Sequence, residues 1–227
     1  TIYVDKLSSD SELADRTIEL LQEANEKLND NATVLSNEFP EERGVNYYNA
    51  QYSAILCSVY TYLAENATED GMKVAYYQEA LNSIDGYLAG IALSGDNVTD
   101  NAKNAYADYS RKKAETYVEM ANYSGDSKYM TSAEDVFNSA ESALGVTDYA
   151  ADLYTSHLTF LYNLYTEQYG STPDKWSKSA IDKILKVYNA GNEIEMLADS
   201  KKPQWNSLVH NSVIESIVSG SYNNTGK

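Results

Sequence analysis

Few side chains in this chain could carry chemistry: two histidines, His157 and His210, one cysteine, Cys57, and an excess of carboxylates. A histidine-based metal or acid–base site needs a partner at fixed spacing, most simply four residues away on the same helix face. Neither histidine has one, and neither is preceded by the Glu-x-x-His spacing of helical di-iron sites. His157 lies within a strongly apolar segment, which predicts a hydrogen-bonded core histidine rather than a base. No Gly-x-Ser-x-Gly elbow supports a nucleophilic serine, and no Gly-rich phosphate loop follows a strand. A calcium loop is approached and then lost. Asn66, Thr68, Asp70 and Gly71 fill its first, third, fifth and sixth positions, but the twelfth, which needs a bidentate Glu, is Tyr77. Cys57 alone permits neither an internal disulfide nor a cysteine-based metal cluster, and reads as a small buried hydrophobe. No catalytic, metal-binding or cofactor-binding residue is expected, and no cofactor.

Two other residue classes point towards contact rather than catalysis. Tyrosine outnumbers phenylalanine by 21 to 3. A dry core favours phenylalanine, because a buried phenol needs a hydrogen-bond partner. The excess therefore predicts half-exposed rings at interhelix seams and groove walls, a surface for peptide, glycan or sister subunits. Pairs such as Tyr47-Tyr48 and Tyr76-Tyr77 cannot both face inward from one helix. Asn-x-Ser/Thr sequons begin at Asn31, Asn66, Asn97, Asn122 and Asn223. Chance alone supplies roughly three at this composition, but each falls at a predicted loop, helix end or tail, where a glycan is tolerated.

Charge excludes several partners. The chain carries 34 acidic and 17 basic residues, for a net charge of −17. Such a surface repels phosphate backbones and anionic membranes, so nucleic acid is not an expected partner. No apolar run reaches the length of about 18 residues that a membrane span requires. Residues 1–100 hold 18 acids against 5 bases, whereas the remainder holds 16 against 12, with six lysines between Lys175 and Lys202. An acidic front and a relatively basic rear suit head-to-tail contact between copies. The chain opens on Thr1, read as either a removed secretory signal or a trimmed chain.

The elements that position these residues are helices. Apolar residues recur at helical spacing almost throughout, predicting eight helices at about 9–29, 43–65, 71–93, 99–122, 131–144, 148–169, 173–190 and 203–219. The first is amphipathic, with Leu13, Thr17, Leu21, Ala24 and Leu28 on one stripe. The second has two packing faces: Ile55, Leu56, Val59 and Leu63 on one, and Ala50, Ala54, Cys57, Thr61 and Ala64 on the other. The sixth, from Leu153 through Leu158, Leu161, Leu164 and Tyr165, is apolar nearly all round and should be central. Ser9 with Glu12 and Thr131 with Glu134 have capping-box spacing. Pro40, Pro173 and Pro203 suit first helical positions. Breaks are expected at Gly71, Gly95, Gly125, Gly145, Gly170 and Gly191. Thr1–Val4 alternates like a strand, so residues 1–8 are expected to form an extended arm, and 219–227 a loose polar tail.

A weak internal repeat runs through these helices. Ala133, Phe137 and Ala140 have an Ala-x3-Phe-x2-Ala spacing. Ala180, Ile184 and Val187 repeat it 47 residues later, and Tyr77, Ala80 and Leu81 match its later part. The small residue lets paired helices approach, and the large one plugs the gap between pairs. Gly125-Asp126 before Ser127-Lys128-Tyr129 supplies a turn between the two helices of such a unit. Over about residues 43–190 this pattern resembles the tetratricopeptide repeat class, at irregular intervals and with longer helices. The resemblance implies antiparallel hairpins stacked as a right-handed superhelix, with a concave face that binds peptides or protein partners.

The chain thus reads as a single all-α helical-repeat domain over 1–227. The leading expectation is a non-catalytic, extracytoplasmic interaction scaffold, including a glycosylated surface or filament subunit assembling from identical copies. Two alternatives remain: an adaptor or solute-binding domain gripping a peptide or glycan, and an all-α enzyme with an unrecognised carboxylate site. The expected location is extracellular or at the cell surface, with the cytoplasm as alternative.

Overall fold

A computed structural model of the chain describes residues 11–38, 45–91, 93, 98–198 and 202–222. Among them there is no strand, and there are eleven α-helices. These are α1 (Ser11–Asp30), α2 (Ala32–Glu38), α3 (Val45–Asn66), α4 (Asp70–Ala89), α5 (Asp100–Ser124) and α6 (Lys128–Leu144). They are followed by α7 (Ala151–Tyr169), α8 (Lys178–Asn192), α9 (Glu195–Ala198), α10 (Pro203–Val209) and α11 (Ser212–Val218). All eight expected segments are helical. The count is larger because two short helices, α2 and α9, were not anticipated and the last segment is broken. That break has a local cause: the Asn211 side chain accepts a hydrogen bond from the Val213 N–H at 2.9 Å, capping a new helix.

By its internal contacts the chain divides into two compact units, Thr1–Val98 with Lys112–Val136, and Thr99–Arg111 with Phe137–Lys227. In the first, α3 packs against both α1 and α4, as its two-faced pattern predicted. Ala14 and Val59, both fully buried, form one core with Leu13, Ile18, Tyr62 and Leu63 around them. Ala64, Tyr77, Leu81 and Met120 form a second. Small residues set the spacing: a Cβ on Gly86 of α4 would meet the Ser53 hydroxyl of α3 at 3.1 Å. One expected core residue is misplaced, since Ile55 is 40% exposed. It lies at the edge of the Leu56–Val59–Leu63 stripe, about 40° from Val59 and about 100° from Leu56.

The second unit is built on α7, where Leu153, Leu158, Leu161 and Tyr165 are buried along with Ala151, Tyr154, Thr155, His157 and Phe160. This is the central, all-round apolar helix that the sequence predicts, with Leu164 half-buried. α8 packs on it through a buried face including Ala180, Ile181, Ile184 and Val187. Two tryptophans lock the connections. The Trp176 indole N–H donates to the Gly170 carbonyl at 2.8 Å, and Trp205 lies over Gly191, where a Cβ would collide with the ring.

Helix ends correct several expectations. Gly125, with φ +69°, ends α5 in the left-handed conformation that glycine adopts without strain. α6 then starts at Lys128, whose N–H donates to the Asp126 carboxylate, so Thr131 lies inside the helix rather than capping it. Pro173 opens a 3₁₀ turn (Pro173–Lys175), and α8 begins later under a Ser177 cap. Pro203 does open α10. Gly71 is the second residue of α4 and Gly191 the last but one of α8, so the expected breaks are present but fall at 67–69 and 193–194, beside the glycines. The expected arm over residues 1–8, the Ser9 cap, Pro40 and Gly95 lie outside the described residues, as does the tail beyond Tyr222.

Candidate functional site

Within the first unit, α3, α4 and α5 enclose a groove of about 690 Å³. α3 contributes Cys57, Ser58, Thr61, Tyr62 and Glu65, α4 contributes Tyr77, and α5 contributes Lys112, Glu115, Thr116, Glu119 and Tyr123. Spacing explains the assembly. Cys57, Thr61 and Glu65 recur every four residues on α3, as do Glu115, Glu119 and Tyr123 on α5, so each helix turns one polar stripe to the cavity. Cys57 and Thr61 belong to the face of α3 expected to pack against a neighbour. Ala64 of that face packs in the core, while Cys57, buried as expected, and the half-buried Thr61 also line the groove.

Tyr77 is the key side chain. It is only 4% exposed, stacks on Tyr123 with ring centroids 6.2 Å apart, and no described residue hydrogen-bonds its hydroxyl. Burial pushes its phenol up to about 12, reinforced by the charges of Glu119, Tyr123 and Glu65. The hydroxyl, like any phenol, is protonated at neutral pH, with both a donor and an acceptor free for something in the groove. Lys73 holds its ammonium 4.3 Å from the Tyr123 ring centroid, and Tyr117 stacks on Tyr129 beside the same core. This clustering is the seam-and-groove use of tyrosine that the composition predicts. Of the expected pairs, Tyr77 is buried and Tyr76 half-buried, while Tyr48 is exposed and the Tyr47 side chain lies outside the described residues.

The second unit holds a different polar centre. His157 is 1% exposed and its Nδ1 lies 2.6 Å from the Glu141 carboxylate, itself 7% exposed. The imidazole stacks on Phe137 at 4.8 Å, and its Nε2 has no hydrogen-bond partner. This is the hydrogen-bonded core histidine expected from its apolar helix. Its partner was not legible, because Glu141 sits on α6, 16 residues earlier, with no local spacing to pair them. His210 is exposed at the end of α10, 3.3 Å from Glu215.

The calcium-loop positions fall on two helices and the turn between them rather than on one loop. Asn66 ends α3, Asp70 and Gly71 open α4, and Tyr77 turns into the core. Among the described residues no group of three or more His, Cys, Asp or Glu side chains could hold a metal ion, and no helix is long and apolar enough to cross a membrane. Three sequon asparagines are described, all exposed: Asn31 between α1 and α2, Asn66 at the end of α3, and Asn122 in the last turn of α5. The amide nitrogens of Asn31 and Asn66 donate to the carbonyls of Lys27 and Tyr62. Asn97 and Asn223 lie outside the described residues.

Sequence reading missed Glu65, Lys112, Glu115, Thr116, Glu119 and Tyr123. The four-residue recurrence of polar groups on α3 and α5 is the signal that would have found them. Comparison with protein-family models, curated proteins and solved structures yields no match to this chain.

Proposed function

We propose that the chain is a non-catalytic interaction module that grips a partner, a peptide or a glycan, in the groove between α3, α4 and α5. The observation that carries this reading is the unpaired Tyr77 hydroxyl at the wall of a cavity lined by aromatic rings and carboxylates. That hydroxyl opens on the cavity, where a polar atom of a ligand can take the place of solvent. Ligand binding raises stability by mass action, about 2.7 kcal/mol at 100 times Kd. A thermal-shift screen of peptides and oligosaccharides tests the idea directly. Thr61→Trp, which fills the groove from a half-buried position, should keep the fold and abolish the shift; an undiminished shift places the ligand elsewhere.

A tetratricopeptide-like right-handed stack remains our reading of the repeat. All nine of its positions, from Tyr77, Ala80 and Leu81 to Ala180, Ile184 and Val187, are buried. A second functional reading, an exported surface or filament subunit, is favoured by the exposed apolar Leu20, Val34 and Ile55 of α1 to α3 and by the exposed sequons. Light scattering and electron microscopy at high protein concentration test assembly, and a strict monomer ends the filament version. Intact mass from the native source tests glycosylation and, with it, the extracellular or cell-surface location.

A further inference from the structure

We infer that the ligand of this groove presents an alkylammonium group, from a lysine side chain of a partner peptide or from a polyamine, seated between Glu65 and Glu119 and against Tyr77. The inference rests on the groove being the binding site and adds the chemistry of what enters it.

Three carboxylates line the cavity against one ammonium, Lys112. Lys112 and Glu115 both have interactions of their own. Glu65 and Glu119 have none with any described residue beyond their charge effect on Tyr77. An unpaired carboxylate is ordinary in so acidic a chain, so number alone decides nothing. What sets these two apart is convergence. One comes from α3 and the other from α5, and both line the same cavity as the Tyr77 phenol of α4. A cavity wall therefore combines two anionic acceptors with one neutral, unpaired hydroxyl, carried by a side chain that is only 4% exposed.

An ammonium has three N–H donors in a compact head. Two carboxylates and a phenolic oxygen satisfy all three, with partial desolvation strengthening each contact. The aromatic walls suit the same charge, because ring faces attract cations. Lys73 over Tyr123 is an intramolecular instance of that pairing in the same cluster. A phosphate or carboxylate ligand would face two uncompensated negative charges. A neutral sugar can bond these carboxylates but leaves their charge unbalanced. The net charge of −17 further steers a cation inward.

The test is calorimetric titration of the full chain with Ac-Gly-Lys-Gly-amide, its Nε-acetylated form, spermidine and a neutral tetrasaccharide, at low and high salt. The lysine peptide and spermidine should bind, the tighter of the two naming the source, while the acetylated peptide should not. Affinity should fall several-fold between 20 and about 200 mM salt. Glu119→Gln should weaken binding about tenfold, and the Glu65→Gln/Glu119→Gln pair should abolish it, with circular dichroism unchanged. Equal binding of the acetylated peptide, or unchanged binding in the double variant, overturns the inference. If only the tetrasaccharide binds, and Thr61→Trp abolishes that, the ammonium falls while the groove stands. If amine binding survives Thr61→Trp, the groove reading falls with it.

Discussion

Tyr77 and Tyr154 are alike by every local measure. One is 4% exposed and the other 5%, and burial pushes each phenol up to about 12, with carboxylate charges adding to it. For Tyr77 those carboxylates are Glu119 and Glu65; for Tyr154 they are Glu141 and Glu193. The difference lies in one carboxylate of each pair, Glu141 beside Tyr154 against Glu119 beside Tyr77, because Glu193, like Glu65, is exposed. Glu141 is held by His157 inside a stacked, closed core. Glu65 and Glu119 have no described partner and face a cavity. The same electrostatic bias thus builds structure where a base is already packed against the acid, and leaves an open cavity wall where none is.

The sharpest way to break this comparison is at the histidine. His157→Ala abandons a buried carboxylate and opens a cavity, and should cost about 3–5 kcal/mol in denaturant unfolding. Replacing both partners, His157→Leu with Glu141→Leu, should recover most of that loss, because no charge is then left buried. A double variant as unstable as the single one would mean that the pair is not the structural unit described here.

The tyrosines give a smaller effect with a defined sign. Both phenols ionise more readily in the unfolded chain, near 10, than in the fold, near 12. The unfolded state therefore loses its protons first. Stability should be unaffected below pH 10 and fall as pH rises from about 10 through about 12, by about 1–3 kcal/mol for each residue. Urea unfolding at pH 9 and pH 11 measures the drop, and Tyr77→Phe and Tyr154→Phe should each remove part of it. An unchanged drop in both variants would assign the alkaline loss to other groups.

Smallest in stability, yet most telling for function, is Tyr77→Phe at neutral pH. It removes a hydroxyl with no described partner, so unfolding free energy should stay within about 0.5 kcal/mol of the parent. Lysine-peptide affinity should nonetheless drop a few-fold by calorimetry. A large stability loss with unchanged affinity would make Tyr77 a core residue like Tyr154 and erase the distinction between the two regions.

The all-helical composition and the core positions were legible because burial on a helix leaves a periodic trace. Ala133, Phe137, Ala140, Ala180, Ile184 and Val187 were marked by spacing alone, and all are buried. The caps were less legible. Asp126, rather than Thr131, starts α6, because the positive-φ turn at Gly125 lets the chain re-enter helix earlier than the apolar pattern demands. Asn211 restarts the chain within what periodicity presents as one helix.

The site was legible only in kind. Tyrosine excess pointed to grooves and seams, and the two-faced pattern of α3 pointed to neighbours on both sides. The small-residue stripe of α3 was read only as a packing face, and its spacing does not show that Cys57 and Thr61 also border a cavity. By itself, then, the sequence determined where helices form, which positions their cores use, and the surplus of negative charge. Each of these follows from residue type and local period. Only the tertiary structure decided that Glu141 meets His157, and that Glu65, Tyr77 and Glu119 from three helices share one cavity. Those pairings depend on how separate helices approach one another, and no local repeat along the chain encodes that distance.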